Sequence, residues 1–270
     1  MATRNNGRYI DSQRRSFAAR LFLIAAGLTG MAWAAAVFPR FVLERSILDV
    51  GMAVAAGETF KPEVLAAVDA QTTEELDSTV HASVLSRAAL IRLRRAEDAM
   101  RIKDTEHTDE RLDAASRIVD RGLENNPNDS FLWLARFWLS SARNGLSPEY
   151  FRYLQMSYDR GRYEGWVATR RNRFALAVYQ VLPSNLTDTA VSEFVGLVRW
   201  GLTAEAAEIA AGPGLPLRNI LFPRLRDVSA EQRSEFASIM YRTKELDDVQ
   251  VPGIDPPPPP VKMPLFPPGY

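Results

Sequence analysis

The densest group of side chains able to hold a ligand lies between residues 157 and 173. There Arg160, Arg162, Arg170, Arg171 and Arg173 crowd around Tyr163, Glu164 and Trp166. Guanidinium groups beside aromatic rings suit an anionic sugar or a lipid headgroup: the cations meet the charge, and the rings stack on a pyranose face. Tyr163, Trp166, Arg170 and Arg171 are therefore the residues expected at a partner or glycan contact. The competing reading is a solvated helix face, with the arginines paired to Glu164 and Asp159 while Trp166 packs inward.

Other chemistry is sparse. The chain contains no cysteine, which excludes disulfides, thiolate zinc sites, iron–sulfur clusters and a cysteine nucleophile together. His81 and His107 lie in unrelated segments, with no second histidine or carboxylate at metal-ligand spacing. Glu74 and Glu75 with Asp77, and Asp247 with Asp248, read as solvated acidic pairs. No G-x-S-x-G, H-E-x-x-H, P-loop or dinucleotide fingerprint occurs. The expectation is no catalytic residue, no metal and no cofactor. Lys plus Arg equals Asp plus Glu at 33 each, so the chain lacks the basic excess that nucleic-acid binding requires.

The elements that must position these residues begin with a membrane segment. Residues 21–38 (LFLIAAGLTGMAWAAAVF) carry no charge, and 18 residues of helix span about 27 Å, close to the hydrocarbon thickness of a bilayer. Arg4, Arg8, Arg14, Arg15 and Arg20 precede it against one acid, Asp11. By the positive-inside rule the basic segment 1–20 is cytoplasmic and the rest of the chain lies beyond the inner membrane, in the periplasm. Ala32, Ala34 and Ala36 would suit a signal peptidase, and Arg14-Arg15-Ser16-Phe17 resembles the core of a twin-arginine signal. The apolar helical pattern running on through Phe41, Leu43, Ile47 and Val50 favours a retained single-pass anchor.

Beyond the span nearly every segment repeats with period 3.6, and the fold class expected is all-α, built from antiparallel helical hairpins. Helices are expected over 40–56, from Pro62, and over 78–103, the last being the longest. Others follow over 108–124, from Asp129 or Ser130 to Asn144, over 147–161, 165–182, 186–202, 203–211, 216–225 and 229–243. Thr108, Ser147 and Ser229 read as N-caps, the last with Gln232 in a capping-box pattern. Phe131, Trp133, Leu134, Phe137 and Trp138 read as hairpin core rather than as the lining of a peptide groove. The α-helical domain is thus expected over 39–250. From 251 to 270 composition changes: nine of the nineteen residues from Pro252 to Tyr270 are proline, which implies a disordered, extended polyproline II tail.

Two resemblances arise from these segments. In LDAASRIVDRGLENNPNDSFLWLARFWL, residues 112–139, Ala115, Gly122 and Pro127 precede Trp133 in an arrangement that resembles the join between two tetratricopeptide repeats. Arg136 and Phe137 depart from the usual pattern there. The resemblance implies a degenerate tetratricopeptide-like array. An N-terminal anchor followed by such an array, with Glu164, Trp166, Arg170 and Arg171 after it, looks like small accessory proteins of bacterial exopolysaccharide assembly. That likeness implies a non-catalytic scaffold for protein partners in the inner membrane or periplasm. An envelope enzyme of helical fold acting on glycan is the alternative, and a cleft holding two carboxylates beside exposed aromatics would favour it.

Overall fold

A computed structural model describes residues 6–75, 81–161, 164–243 and 250–255. The chain divides into two compact units, Met1–Ile91 and Arg92–Tyr270. Among the described residues all regular structure is helical.

In the first unit, helix α1 (Asn6–Ala55) carries the apolar segment, and every residue of Arg20–Phe38 is exposed. Such a helix is consistent with a membrane anchor or a signal sequence. It continues through Pro39 into the stretch read as a separate helix over 40–56. One proline removes one backbone donor without by itself ending a helix. The C-terminal part of α1 is amphipathic: Ile47 and Val54 are buried, and Gly51 meets the Arg87 side chain where a β-carbon would stand 2.6 Å from Arg87 Cβ. Gly57, with φ +89°, turns the chain toward α2 (Pro62–Glu75), which packs on α1 through buried Leu65 and Val68. Helix α3 (Ala82–Arg101) follows and crosses the boundary between the units.

The second unit is a succession of helix pairs. Helices α4 (Thr105–Asn125) and α5 (Ser130–Asn144) are antiparallel, since Asp113 meets Arg143, Asp120 meets Arg136, and Gly122 meets Leu132. A β-carbon on Gly122 would lie 2.6 Å from Leu132 Cδ1, so the bare glycine sets how closely the two axes approach. Capping is by Asp104 rather than Thr108: its carboxylate accepts from the His107 N–H, while the Thr108 hydroxyl bonds back to the Asp104 carbonyl. Asp129 caps α5 by accepting from the Leu132 N–H at 3.0 Å, and Gly145, with φ +76°, ends it.

Ser147 makes no side-chain cap; a single 3₁₀ turn at Pro148–Tyr150 leads into α6 (Phe151–Arg160), which lies antiparallel to α5. Phe137 against Phe151 and Trp133 against Tyr153 mark that register. Helices α7 (Gly165–Ala177) and α8 (Ser184–Arg199) form the next pair. Then come α9 (Thr203–Ala211), the single turn α10 (Arg218–Leu221) between 3₁₀ segments, and α11 (Ala230–Thr243). Phe236 of α11 receives Phe194 and Phe222 edge-on, with ring centroids 6.0 and 5.8 Å away, the arrangement favoured by aromatic quadrupoles. The Ser229 hydroxyl caps α11 with Gln232 as its partner. Residues 251–255, read as the start of the tail, are held against this unit: Val251 is buried and the Arg233 guanidinium donates to the Pro252 carbonyl. The proline run 256–260 and the remainder of the tail lie outside the described residues.

Candidate functional site

Of the four residues expected at a ligand contact, the three described ones do not share one surface. Tyr163 lies outside the described residues. Trp166, at the start of α7, is half-buried with its ring 4.9 Å from that of Phe131. Arg170, also half-buried, faces Glu97 of α3; burial pulls its guanidinium pKa down while Glu97 pulls it up. Burial likewise raises the Glu97 carboxyl, opposed by Arg170 and then Arg94. Arg171 is 0% exposed and points into the core.

The surroundings of Arg171 are a built polar site. Its Nε and Nη2 donate to Glu193 Oε1 at 3.0 and 2.5 Å. Nη1 donates to the Ser157 carbonyl and hydroxyl at 2.6 and 3.1 Å, and Nη2 also donates to the Gly161 carbonyl at 3.0 Å. The guanidinium carbon stands 4.3 Å from the centre of the Tyr158 ring. One side chain thus reaches two carbonyls at the C-terminus of α6, that of Ser157 (which also accepts from the Gly161 N–H) and that of Gly161, and ties α6 and α7 to α8, as guanidinium geometry allows and an ammonium would not. The network extends outward: the Ser157 hydroxyl donates to the Ser130 carbonyl, and the Ser130 hydroxyl to Glu164 Oε2. Asn172 Nδ2 donates to the Ala190 carbonyl at 2.7 Å.

Burial is the largest influence on Glu193 and raises its carboxyl above the ordinary range, with Arg171 opposing. Tyr158 is pushed well above the usual phenol value, first by burial and then by the Glu193 charge. The Tyr158 hydroxyl faces that carboxylate without reaching hydrogen-bond geometry, and Glu193 Oε2 likewise accepts no hydrogen bond.

Above this pair opens a pocket of about 330 Å³ between α6 and α8. Its walls are Tyr158, Asp188, Thr189, Ser192, Glu193, Gly196, Arg199 and Trp200. Asp188, Ser192, Arg199 and Trp200 are exposed, whereas Glu193 and Tyr158 are buried beneath. No sequence motif marks this pocket. Its lining residues fall at helical spacings along α8, a pattern that any amphipathic helix shows, and Tyr158 joins them only through the tertiary fold.

A second feature is a ridge on α5 and α6. The rings of Tyr150, Tyr153 and Trp133 stack in sequence, at centroid separations of 6.4 and 6.1 Å. Arg136 and Arg152 lie over Tyr153 at 5.6 and 4.8 Å. The hydrogen bond from Arg152 lowers the Tyr153 phenol pKa. Trp133 is half-exposed here, while Phe131, Leu134 and Phe137 are buried. Among the described residues no three histidine, aspartate or glutamate side chains gather as a metal cage. His81 stands 3.6 Å from Glu44, and His107 stands 3.0 Å from Asp104.

No family model matches this chain, and no curated protein or solved structure matches it either.

Proposed function

We propose that this chain is a non-catalytic scaffold, anchored in the inner membrane by residues 21–38, whose periplasmic helical part mediates protein–protein interactions in the bacterial envelope. The observation that carries this reading is the wholly exposed apolar helix Arg20–Phe38, preceded by arginines and continuous with residues buried in a folded unit. An apolar helix of bilayer length with no protein covering it belongs in lipid. A cut after Ala36 would fall within α1, which supports retention over processing. The antiparallel pairs α4–α5 and α5–α6, with bare Gly122 against Leu132 in the first of them, support a tetratricopeptide-like arrangement. The Tyr150–Tyr153–Trp133 ridge with its arginines has the composition of protein-binding hot spots. A place in exopolysaccharide synthesis or export is part of the proposal and rests on the sequence likeness. A photo-crosslinking residue at Tyr153, introduced in intact cells, is expected to give discrete adducts that the same residue at exposed Arg173 does not. Identical adduct patterns from both positions would remove the ridge from the account.

The second reading, an envelope enzyme acting on glycan, is favoured by one observation: Asp188 and Glu193 share a pocket with exposed Trp200. Two features weigh on the other side. Five residues along a helix separate the two side chains by about 140° around its axis. Glu193 is also held through Oε1 by Arg171. Release of reducing ends from bacterial polysaccharide by the purified chain would favour the enzyme.

A further inference from the structure

We infer that the pocket on α8 is a binding site for a neutral saccharide, a site that the scaffold reading does not require. The pocket's volume of about 330 Å³ lies at the small end of ligand sites, suited to one or two sugar rings. Its chemistry is amphipathic in the way a sugar is. Trp200, 44% exposed at the C-terminal end of α8, offers an apolar ring for the C–H face of a pyranose. Its six-membered ring is braced against Gly196, where a β-carbon would stand 3.1 Å from the indole Cη2. Asp188 and Ser192, one helical turn apart and both exposed, supply an acceptor and a donor–acceptor for ring hydroxyls.

The charge balance selects a neutral ligand over an anionic one. The Arg171 guanidinium behind the pocket is spent on Glu193 and two backbone carbonyls, so it presents no free cation. With that pair compensated, the lining presents Asp188 and Arg199 at the mouth, one charge of each sign. The Glu193 Oε2 and Tyr158 hydroxyl oxygens are buried beneath the pocket, facing each other, and add no cation to it. A mouth with one charge of each sign and no second cation suits a neutral ligand better than a uronate or phosphate.

The test uses the full chain in detergent or nanodiscs, with maltotriose, cellotriose and mannotriose as neutral probes and trigalacturonate as the anionic one. Saturation-transfer NMR and calorimetry read binding. At least one neutral trisaccharide is expected to bind, with affinity lowered about tenfold or more by Trp200→Ala and by Ser192→Phe, which fills the pocket. Both positions are exposed, and unchanged circular dichroism shows that the variants are folded. Binding of trigalacturonate alone would overturn the inference. So would the failure of every neutral probe, or binding indifferent to both substitutions. Cleavage of a bound probe, lost in the same variants, would leave the saccharide site standing and overturn the non-catalytic reading instead.

Discussion

Arg171 and Glu193 are 22 residues apart in the chain and meet in the core, where two guanidinium nitrogens converge on one carboxylate oxygen at 3.0 and 2.5 Å. Neither side chain has appreciable access to solvent. A buried pair of this kind is weak evidence of net stabilisation, because desolvating both ions offsets most of their attraction. What it does impose is a penalty on losing one partner.

Arg171→Met is accordingly expected to destabilise the helical domain by about 3–5 kcal/mol, since it strands a buried carboxylate. Glu193→Gln should cost less, because Arg171 keeps its bonds to the Ser157 and Gly161 carbonyls. The double variant Arg171→Met, Glu193→Leu should recover much of the loss. Urea unfolding followed by circular dichroism checks all three.

The same pair gives a pH dependence with a definite sign. The Glu193 carboxyl is raised in the fold, so the folded chain holds its proton more tightly than the unfolded chain does. Its contribution to stability is complete below the ordinary glutamate value and is lost as pH rises through the folded value. Removing the Arg171 charge should steepen that loss. Urea midpoints measured from pH 4 to pH 8 in Arg171→Met that rise with pH, where a fall is expected, would contradict the assignment.

Gly161 and Ser130 are in direct apposition: a β-carbon on Gly161 would lie 2.2 Å from Ser130 Oγ and 2.3 Å from Ser130 Cβ. Gly161→Ala is expected to cost about 1–3 kcal/mol through overpacking. Ser130→Gly removes both clashing atoms. The double variant should therefore be more stable than the sum of the single effects allows, a coupling that a double-mutant cycle measures.

Asp104 and His107 cap α4 together. The hydrogen bond from His107 holds the Asp104 carboxyl below its usual value, and the same bond holds the imidazole of His107 above 6.5. The histidine's contribution is present below its unfolded value and lost as pH rises through the folded one. The aspartate's is present above its unfolded value and lost as pH falls through the folded one. In Asp104→Asn the His107 resonance should titrate closer to the unperturbed histidine value. NMR titration of a chain with only two histidines reads this directly.

Much of the helical framework was legible locally. The Asp129 cap, Gly145, and the Ser229–Gln232 pair are each decided by a few neighbouring residues. Ala115 and Gly122 are both buried, as their spacing suggested. In sequence Arg171 reads as a ligand contact, or as part of a solvated face, because Arg170 and Arg173 flank it, yet Arg173 is exposed and Arg171 is not. A signal was present: Ala168, Arg171, Asn172 and Ala175 follow one helical stripe, and all are buried. Leu186, Ala190, Glu193 and Leu197 do the same on α8. A charge on each of two apolar stripes is the trace that a buried ion pair leaves in a sequence. The pocket left no such trace, because Tyr158 and Trp200 come together only when α6 and α8 pack.

The proposed anchor puts the helical part on the periplasmic side of the membrane, and a chain without native cysteine makes that measurable. Single cysteines at Arg8 and at exposed Arg152 would be treated in intact spheroplasts with a membrane-impermeant maleimide. Arg152→Cys should label at once and Arg8→Cys only after the membrane is opened. Labelling of 8 with protection of 152 would place the helices in the cytoplasm and contradict the account.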